Sequence, residues 1–256
     1  MWKLVPCIEW LFKTEHPDFL ERIAAARAAG LDSVEFHLWR DKPIDLLVQA
    51  LAETGVAVNS FCVDPRASLV DPLEHPTVLA ATRDAIQVAQ ALGGARMILA
   101  SGFTRADVPD AEQEAEAIKV LREAARLAED AGTQLLLEPV HMTVQGRSMF
   151  VQGIARGLDI VEQVDSPALR LLADVYHSAM SGEDFGEALG NRMCWVGHVQ
   201  VADTEARHEP GTGTQSWSGV MSALHERGYN GDIGLEYLPT LPVTDSIAQT
   251  RRVLGL

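Results

Sequence analysis

The hydrophobic positions along the chain fall into two alternating textures. Short, nearly continuous apolar runs lie near residues 3–8, 31–37, 56–62, 95–100, 133–138, 169–175, 195–202 and 232–237. Between them, near 17–29, 43–54, 75–92, 110–131, 153–164, 183–192, 215–228 and 244–253, apolar residues recur every three or four positions. The first texture predicts strands buried on both faces, and the second predicts amphipathic helices. Eight of each in strict alternation over 256 residues predict eight βα units of about 32 residues.

The stretch 110–131 carries the helical texture best. Ile118, Leu121, Ala125 and Ala128 share one face, Asp110 with Gln113 reads as a capping box, and Gly132 as the stop. Gly30, Gly55 and Gly228 stand in the same place, each just before LDSVEF, VAVNSF or DIGLEY. A helix-to-strand connection often needs one residue at positive φ, which glycine supplies without steric cost. Eight units fit a closed (β/α)8 barrel as a single domain over 1–256. An open doubly wound sheet is the alternative, but IEWLFKTEHP after the first strand lacks the G-x-G-x-x-G turn.

Composition narrows the class. A formal net charge of −15 without a basic stripe predicts no nucleic-acid partner. Cys7, Cys62 and Cys194 are unpaired in spacing, as in a reducing compartment. MWKLVPCIEWLF is a poor signal peptide, and no apolar run is long enough to span a bilayer, so a soluble cytoplasmic protein without a membrane partner is expected. Trp2, Trp10 and Trp39 fit core packing, with the barrel mouth or a subunit contact as the other settings for them.

In a parallel barrel the working face is the carboxyl end of the strands. LLLEP ends on Glu138, LRLLAD on Asp174, HVQVAD passes through Gln200, and GLEY carries Glu236. These lie on strands five to eight, neighbours around a barrel. Three buried carboxylates and an amide carbonyl repel one another unless a cation sits among them, and an all-oxygen set suits Mg²⁺ or Mn²⁺. Taken singly, each acid reads as a loop residue or a helix cap; the four together point to one divalent ion. In GHVQVADTEARHEPGTG, His198 and Gln200 share the inward face while Val199 and Val201 face the helices. His198 is expected one layer below the ligands, where an interior histidine bonded to an acid is the ordinary case. His177 in DVYHS and Arg207 beyond strand seven are candidates for substrate contact. Glu35, His37 and His141 are weaker candidates for the barrel mouth, and whether His37 and His198 serve function or structure stays open at this point.

Together, LLLEPV, ADVYHS, GHVQVADTEARHEPGTG and GLEYLP resemble the hydroxypyruvate isomerase family, within the xylose isomerase-like TIM barrels; FLERIAAARAAGLDSVEF is similar to the family's first helix and second strand. The resemblance implies that Glu138, Asp174, Gln200 and Glu236 bind one divalent metal, that Glu138 and Glu236 trade the substrate proton, and that His177 and Arg207 touch substrate oxygens. Glutamine at position 200 leans away from the ketose 3-epimerases, which usually carry histidine there. The chain departs from the family at His208, where glycine is usual, and in HLWRDKP and PVHMTVQGRS.

The expected activity is isomerisation of a small hydroxy-carbonyl acid, with hydroxypyruvate going to tartronate semialdehyde first. Arg207 with His208 would close over the substrate, and Thr214 or Ser216 would cap the next helix. A ketose 3-epimerase or other sugar isomerase, a non-catalytic barrel subunit and an endonuclease-like relative are the alternatives. The family analogy adds a homo-oligomer as a further expectation.

Overall fold

The structure is a computed structural model that describes residues 2–256. Eight parallel strands form the barrel: β1 (Leu4–Pro6), β2 (Ser33–Phe36), β3 (Ala57–Cys62), β4 (Arg96–Ala100), β5 (Leu135–Glu138), β6 (Leu169–Asp174), β7 (Val196–Val201) and β8 (Ile233–Leu235). Each pairs with its sequence neighbour, and β8 pairs with β1. Closure between β1 and β2 rests on a bridge from Cys7 to Glu35 and on the Ile8 amide donating to the Glu35 carbonyl at 2.9 Å. The ring is therefore complete, as the alternation of textures predicts.

The helices are α1 (Glu21–Ala28), α2 (Ile44–Thr54), α3 (His75–Ala91), α4 (Asp110–Asp130), α5 (Ile154–Val164), α6 (Val175–Met180), α7 (Phe185–Leu189), α8 (Trp217–Glu226) and α9 (Val243–Leu254). The one departure from eight helical signals is α6, a short helix that begins on the residue after β6. Asp174 makes it possible, because its Oδ1 accepts from the Tyr176 amide at 2.8 Å and starts a helix directly at the strand end. A two-stranded hairpin, Thr143–Val144 with Arg147–Ser148, stands beyond β5. Gly30, Gly55, Gly132 and Gly228 take φ between +65° and +75°, as expected of helix-to-strand glycines.

Two local expectations fail. Asp110 is the first residue of α4 and does not cap it; its carboxylate pairs with Arg156 at 2.6 Å. Gln113 folds back onto the preceding loop, where it bonds the Arg105 backbone on both sides and the Val108 carbonyl. Ser216 precedes α8 without a side-chain cap bond, and Thr214 faces Thr204. Asp203 takes the amides instead, accepting from Thr204, Gly211 and Gln215 and from the Trp217 indole.

The main core is the shell between strands and helices, where Val199, Val201 and Leu235 meet Ala125, Leu158 and Ile247. Inside the barrel, Cys62, Ile98, Leu136 and Leu172 form a separate apolar cluster on β3 to β6. The opposite wall is polar: Glu35 and Ser60 are fully buried beside His198 and Gln200. Gly234 on β8 makes that wall possible. A Cβ there would lie 2.7 Å from Gln200 Cγ and from Glu35 Oε1, and 2.9 Å from His198 Nε2. Gly234→Ala is therefore expected to lower stability by roughly 1–3 kcal/mol through overpacking, read from urea denaturation midpoints.

Candidate active site

Strand parity brings the four predicted oxygen donors to one end of the barrel. Asp174 pairs in register with Gln200, and Gln200 with Gly234, two residues before Glu236 on the same face. Glu138 ends β5. Ligand atoms of Glu138, Asp174 and His177 lie within 4.8 Å of one another. Above them opens a cavity of ≈ 660 Å³ whose lining includes Glu138, Glu236, His177, His141, Arg207 and Trp10.

Arg207 is the cation among these acids. One terminal nitrogen donates to Asp174 Oδ2 and to Glu236 Oε2, each at 3.0 Å. Its guanidinium lies between the Trp10 and Tyr176 rings, 4.8 Å from each centroid. Reaching that slot takes two consecutive non-glycine residues with left-handed backbone, Ala206 at φ 55° and Arg207 at φ 56°. Such strain persists only where the surroundings hold it; here the Leu238 amide clamps the Arg207 carbonyl at 2.9 Å. Arg207 Nε is buried and has no partner.

The acids divide electrostatically. Burial pushes the Glu138 carboxyl up to about 8, with Glu236 and Asp174 adding to the rise. Burial likewise raises Asp174, to about 7, with Glu236 alongside and against the pull of Arg207 and the Tyr176 and His177 amides. Glu236 feels the same burial, but Arg207 and His37 outweigh it and hold the carboxylate down at about 2.

His37 donates to Glu236 Oε1 at 2.8 Å, and its Nδ1 stands 3.2 Å from Glu9 Oε2. Burial works against charge on this ring, yet Cys7, Glu236 and Glu9 raise it well above the ordinary histidine range. Lys42 completes the row at 2.7 Å from Glu9. His37 is therefore part of the site. Of the three settings open to Trp10, the structure gives it the barrel mouth. Glu9 carries no signal in the sequence, because β1 ends at Pro6 and both residues lie in the turn that follows it.

His177 is buried, and its Nδ1 accepts from the His141 amide at 3.2 Å. That bond puts the ring proton on Nε2, which faces Asp174 Oδ2 at 3.6 Å and Glu138 Oε1 at 3.8 Å. Burial and Arg207 lower its pKa to about 3, so the ring is neutral. A neutral ring with hydrogen on Nε2 is a donor toward the cavity and not a metal ligand. His141 lines the cavity, and its own ring bonds Ser181 at 3.2 Å.

Two expected substrate contacts lie elsewhere. Glu35 does not reach the mouth: it is buried inside the barrel and bonds Gln200, His198 and Ser60. His198 is its partner at 2.9 Å, one layer below Gln200 as anticipated. His208 turns away from the cavity and bonds the Leu238 carbonyl at 2.7 Å through Nδ1. Its neighbour Glu209 is fully buried and accepts from the Thr240 amide and hydroxyl, which ties the loop after β7 to the segment after β8.

Whether this donor set suits a cation is answered by Gln200. Its amide nitrogen is engaged by Glu35, while its Oε1 is buried without any partner. A buried orphan acceptor on the residue paired in register with Asp174, at an end of the barrel where Glu138 and Asp174 are driven toward protonation, is the environment that a hard divalent ion relieves.

A closed parallel barrel with an acid-rich centre at its carboxyl end defines the class of protein. A family model described as Xylose isomerase-like TIM barrel matches residues 23–254, and the chain belongs to that family. A Streptomyces coelicolor protein provisionally named hydroxypyruvate isomerase is 33% identical, with 88% of this chain and 87% of the relative covered. The Escherichia coli hydroxypyruvate isomerase is 29% identical over 87% and 88%. The 2-oxo-tetronate isomerase of Cupriavidus necator is 27% identical over 93% and 94%. These relatives are isomerases by name, in line with the sequence reading. Among solved structures, an AP endonuclease, family 2, from Brucella melitensis superposes with TM-score 0.89 at 24% identity, covering 98% of this chain and 99% of that one; at that identity the likeness shows the fold. Among the described residues no helix is long and apolar enough to cross a membrane.

If Glu138 and Asp174 serve as metal ligands they must first shed protons, so divalent-metal binding should tighten as pH rises from about 6 to 8.5. Each Mn²⁺ bound should release protons below that range's upper end. Calorimetric titration with Mn²⁺ in two buffers of different ionisation enthalpy checks both.

Proposed function

We propose that this chain is a divalent-metal-dependent isomerase that moves a proton between adjacent carbons of a small hydroxy-carbonyl acid, with hydroxypyruvate to tartronate semialdehyde as the first reaction to test. The observation that carries the reading is the unpartnered, buried Gln200 oxygen among Glu138, Asp174 and Glu236. The relatives named hydroxypyruvate isomerase and 2-oxo-tetronate isomerase support the substrate class.

Glu138, Asp174, Gln200 and Glu236 would hold the ion, Mg²⁺ or Mn²⁺. Bound there, it polarises the substrate carbonyl and so acidifies the neighbouring C–H. Glu236 is the carboxylate that this chain's own cations, Arg207 and His37, keep ionised, so it takes the proton from C3 of hydroxypyruvate. An enediolate results. Glu138, which takes up a proton from solvent in the open cavity, delivers it to C2, and Glu236 afterwards returns its own proton to solvent. The hydroxyl proton must also move from O3 to O2, and His177 is placed for this: Nε2–H gives its proton to O2 as the same nitrogen recovers one from O3. Arg207 Nε–H, buried and free, is the donor for the substrate carboxylate. Trp10 and Tyr176 keep water from that guanidinium.

One observation favours a longer acid as a second reading. The cavity is far larger than a three-carbon acid fills, and Arg66, Arg105 and Arg147 stand on its wall in a chain of net charge −15. That wall suits an acid of four or more carbons, of the kind named for the 2-oxo-tetronate isomerase relatives.

Proton NMR in D2O tests the reading. Protein stripped with chelator should leave hydroxypyruvate unchanged. Added Mg²⁺ should bring deuterium uptake together with tartronate semialdehyde. Glu236→Gln and Glu138→Gln should each slow exchange by at least ~10²-fold while circular dichroism is retained. Exchange that proceeds at the wild-type rate in either variant overturns the assignment. Product formed only from free ketoses would instead identify a 3-epimerase.

A further inference from the structure

We propose that Glu35 is a positioning residue that fixes which end of the Gln200 amide faces the metal site, and that it does so through a buried chain of directed hydrogen bonds. The inference rests on the metal reading above and goes beyond it, because Glu35 touches neither the cavity nor the donors' free oxygens.

An amide side chain has two nearly isosteric ends, and only its oxygen can serve a cation. Gln200 therefore needs something to choose its orientation. The choice begins at the bottom of the barrel. Arg96, which can only donate, bonds the Gly197 carbonyl and the Asn59 side-chain oxygen and brings Nη2 to 3.4 Å from His198 Nδ1. A nitrogen facing a guanidinium accepts, so the His198 proton sits on Nε2. That Nε2–H donates to Glu35 Oε2 at 2.9 Å. Ser60 Oγ donates to the same oxygen at 2.9 Å. Glu35 Oε1 remains and takes the Gln200 amide nitrogen at 2.8 Å. The Gln200 oxygen is left with no partner, pointing away from Glu35. Reversing the amide would set two oxygens against each other at that same separation, inside a wall where Glu35, His198 and Gln200 are all at most 3% exposed.

The link spans the barrel, since β1 and β8 lie between β2 and β7. It passes over Gly234, whose missing side chain leaves room for all three partners. A site on β8 that demands glycine is a second, independent sign that the crossing is built in.

The polarity of the chain predicts what Glu35→Gln does. His198 still donates upward, so the new amide turns its oxygen to His198 and its NH2 to Gln200. Gln200 must then turn round and present NH2 to the metal site. The expected result is a ~10–100-fold loss of Mn²⁺ affinity by calorimetry, the range typical for outer partners of metal ligands, with circular dichroism unchanged. The double variant E35Q/Q200E reverses both partners: the amide now at position 35 donates to a carboxylate at position 200, whose other oxygen faces the site. It should regain most of the lost affinity. A merely structural Glu35 would lower the melting temperature in both variants and leave Mn²⁺ affinity alone. Wild-type Mn²⁺ affinity in folded E35Q, or no recovery in the double variant, overturns the proposal.

A measurement on the unaltered protein covers the case in which E35Q fails to fold. The ¹⁵N-labelled side-chain NH2 of Gln200 should be slow to exchange and should stay bonded when Mg²⁺ is added; rapid exchange overturns the proposal. Failure of the wild-type protein to bind any divalent ion, with the amide still slow to exchange, would overturn the metal reading and leave the orientation of Gln200 in place.

Discussion

Everything at the carboxyl end of this barrel depends on burying like charges together. Glu138, Asp174 and Glu236 converge within a few ångströms in a setting where a carboxylate is poorly solvated, and Coulomb repulsion there is several times stronger than in water. The surrounding sequence answers that constraint in three ways. Arg207 is driven between Asp174 and Glu236 at the cost of a left-handed backbone. His37 is held beside Glu236 by Glu9. The Asp174 carboxylate divides its labour, one oxygen capping α6 and the other facing Arg207. Each device lies on a different segment, so the site draws on nearly the full length of the chain.

The barrel interior is correspondingly two-sided. On β3 to β6 it is an ordinary apolar fill of Ile98, Leu136 and Leu172. On β7, β8 and β2 it is a hydrogen-bonded network: Arg96, from β4, faces His198, His198 donates to one Glu35 oxygen, and the other Glu35 oxygen accepts from Gln200. Buried polar networks are worth having only when every member is satisfied. Here the one unsatisfied atom of that row, Gln200 Oε1, is the one at the working end. The loop after β7 is stabilised by a different set of buried acids, Asp203 and Glu209, which bind backbone amides and leave the cavity to Arg207.

The barrel was legible because it rests on repetition: eight apolar runs, eight amphipathic runs and glycines at the seams. The convergence of Glu138, Asp174, Gln200 and Glu236 was legible too, because residues at matched strand ends with the same parity must face the same axis. The ligand roles proposed for them rest on chemistry and not on the fold. Most of what could not be read lies off the strands. Glu9 and Trp10 reach the site from an irregular turn that no periodicity marks. Glu35 has the right parity for the interior, but how far up the barrel a side chain sits depends on shear and on a register shift between Val34 and Glu35. The capping box at Asp110 and Gln113 matched the residue pattern but lost to competing partners, Arg156 for one and the 105–108 backbone for the other. His208 was placed over the substrate by adjacency to Arg207, although consecutive loop residues seldom point the same way.

Arg207 also bears on how such a centre is assembled. If the centre takes the proposed ion, a pocket of bare carboxylates would be hard to close before that cation arrived, and the chain would then depend on a supply of metal at the moment of folding. By carrying a tethered positive charge on a strained but clamped loop, the protein brings its own temporary occupant. On the proposed metal reading, synthesis and loading would thereby be separated in time: the barrel would close first, and the guanidinium would be free to turn from protein carboxylates to an incoming anion once an ion was bound.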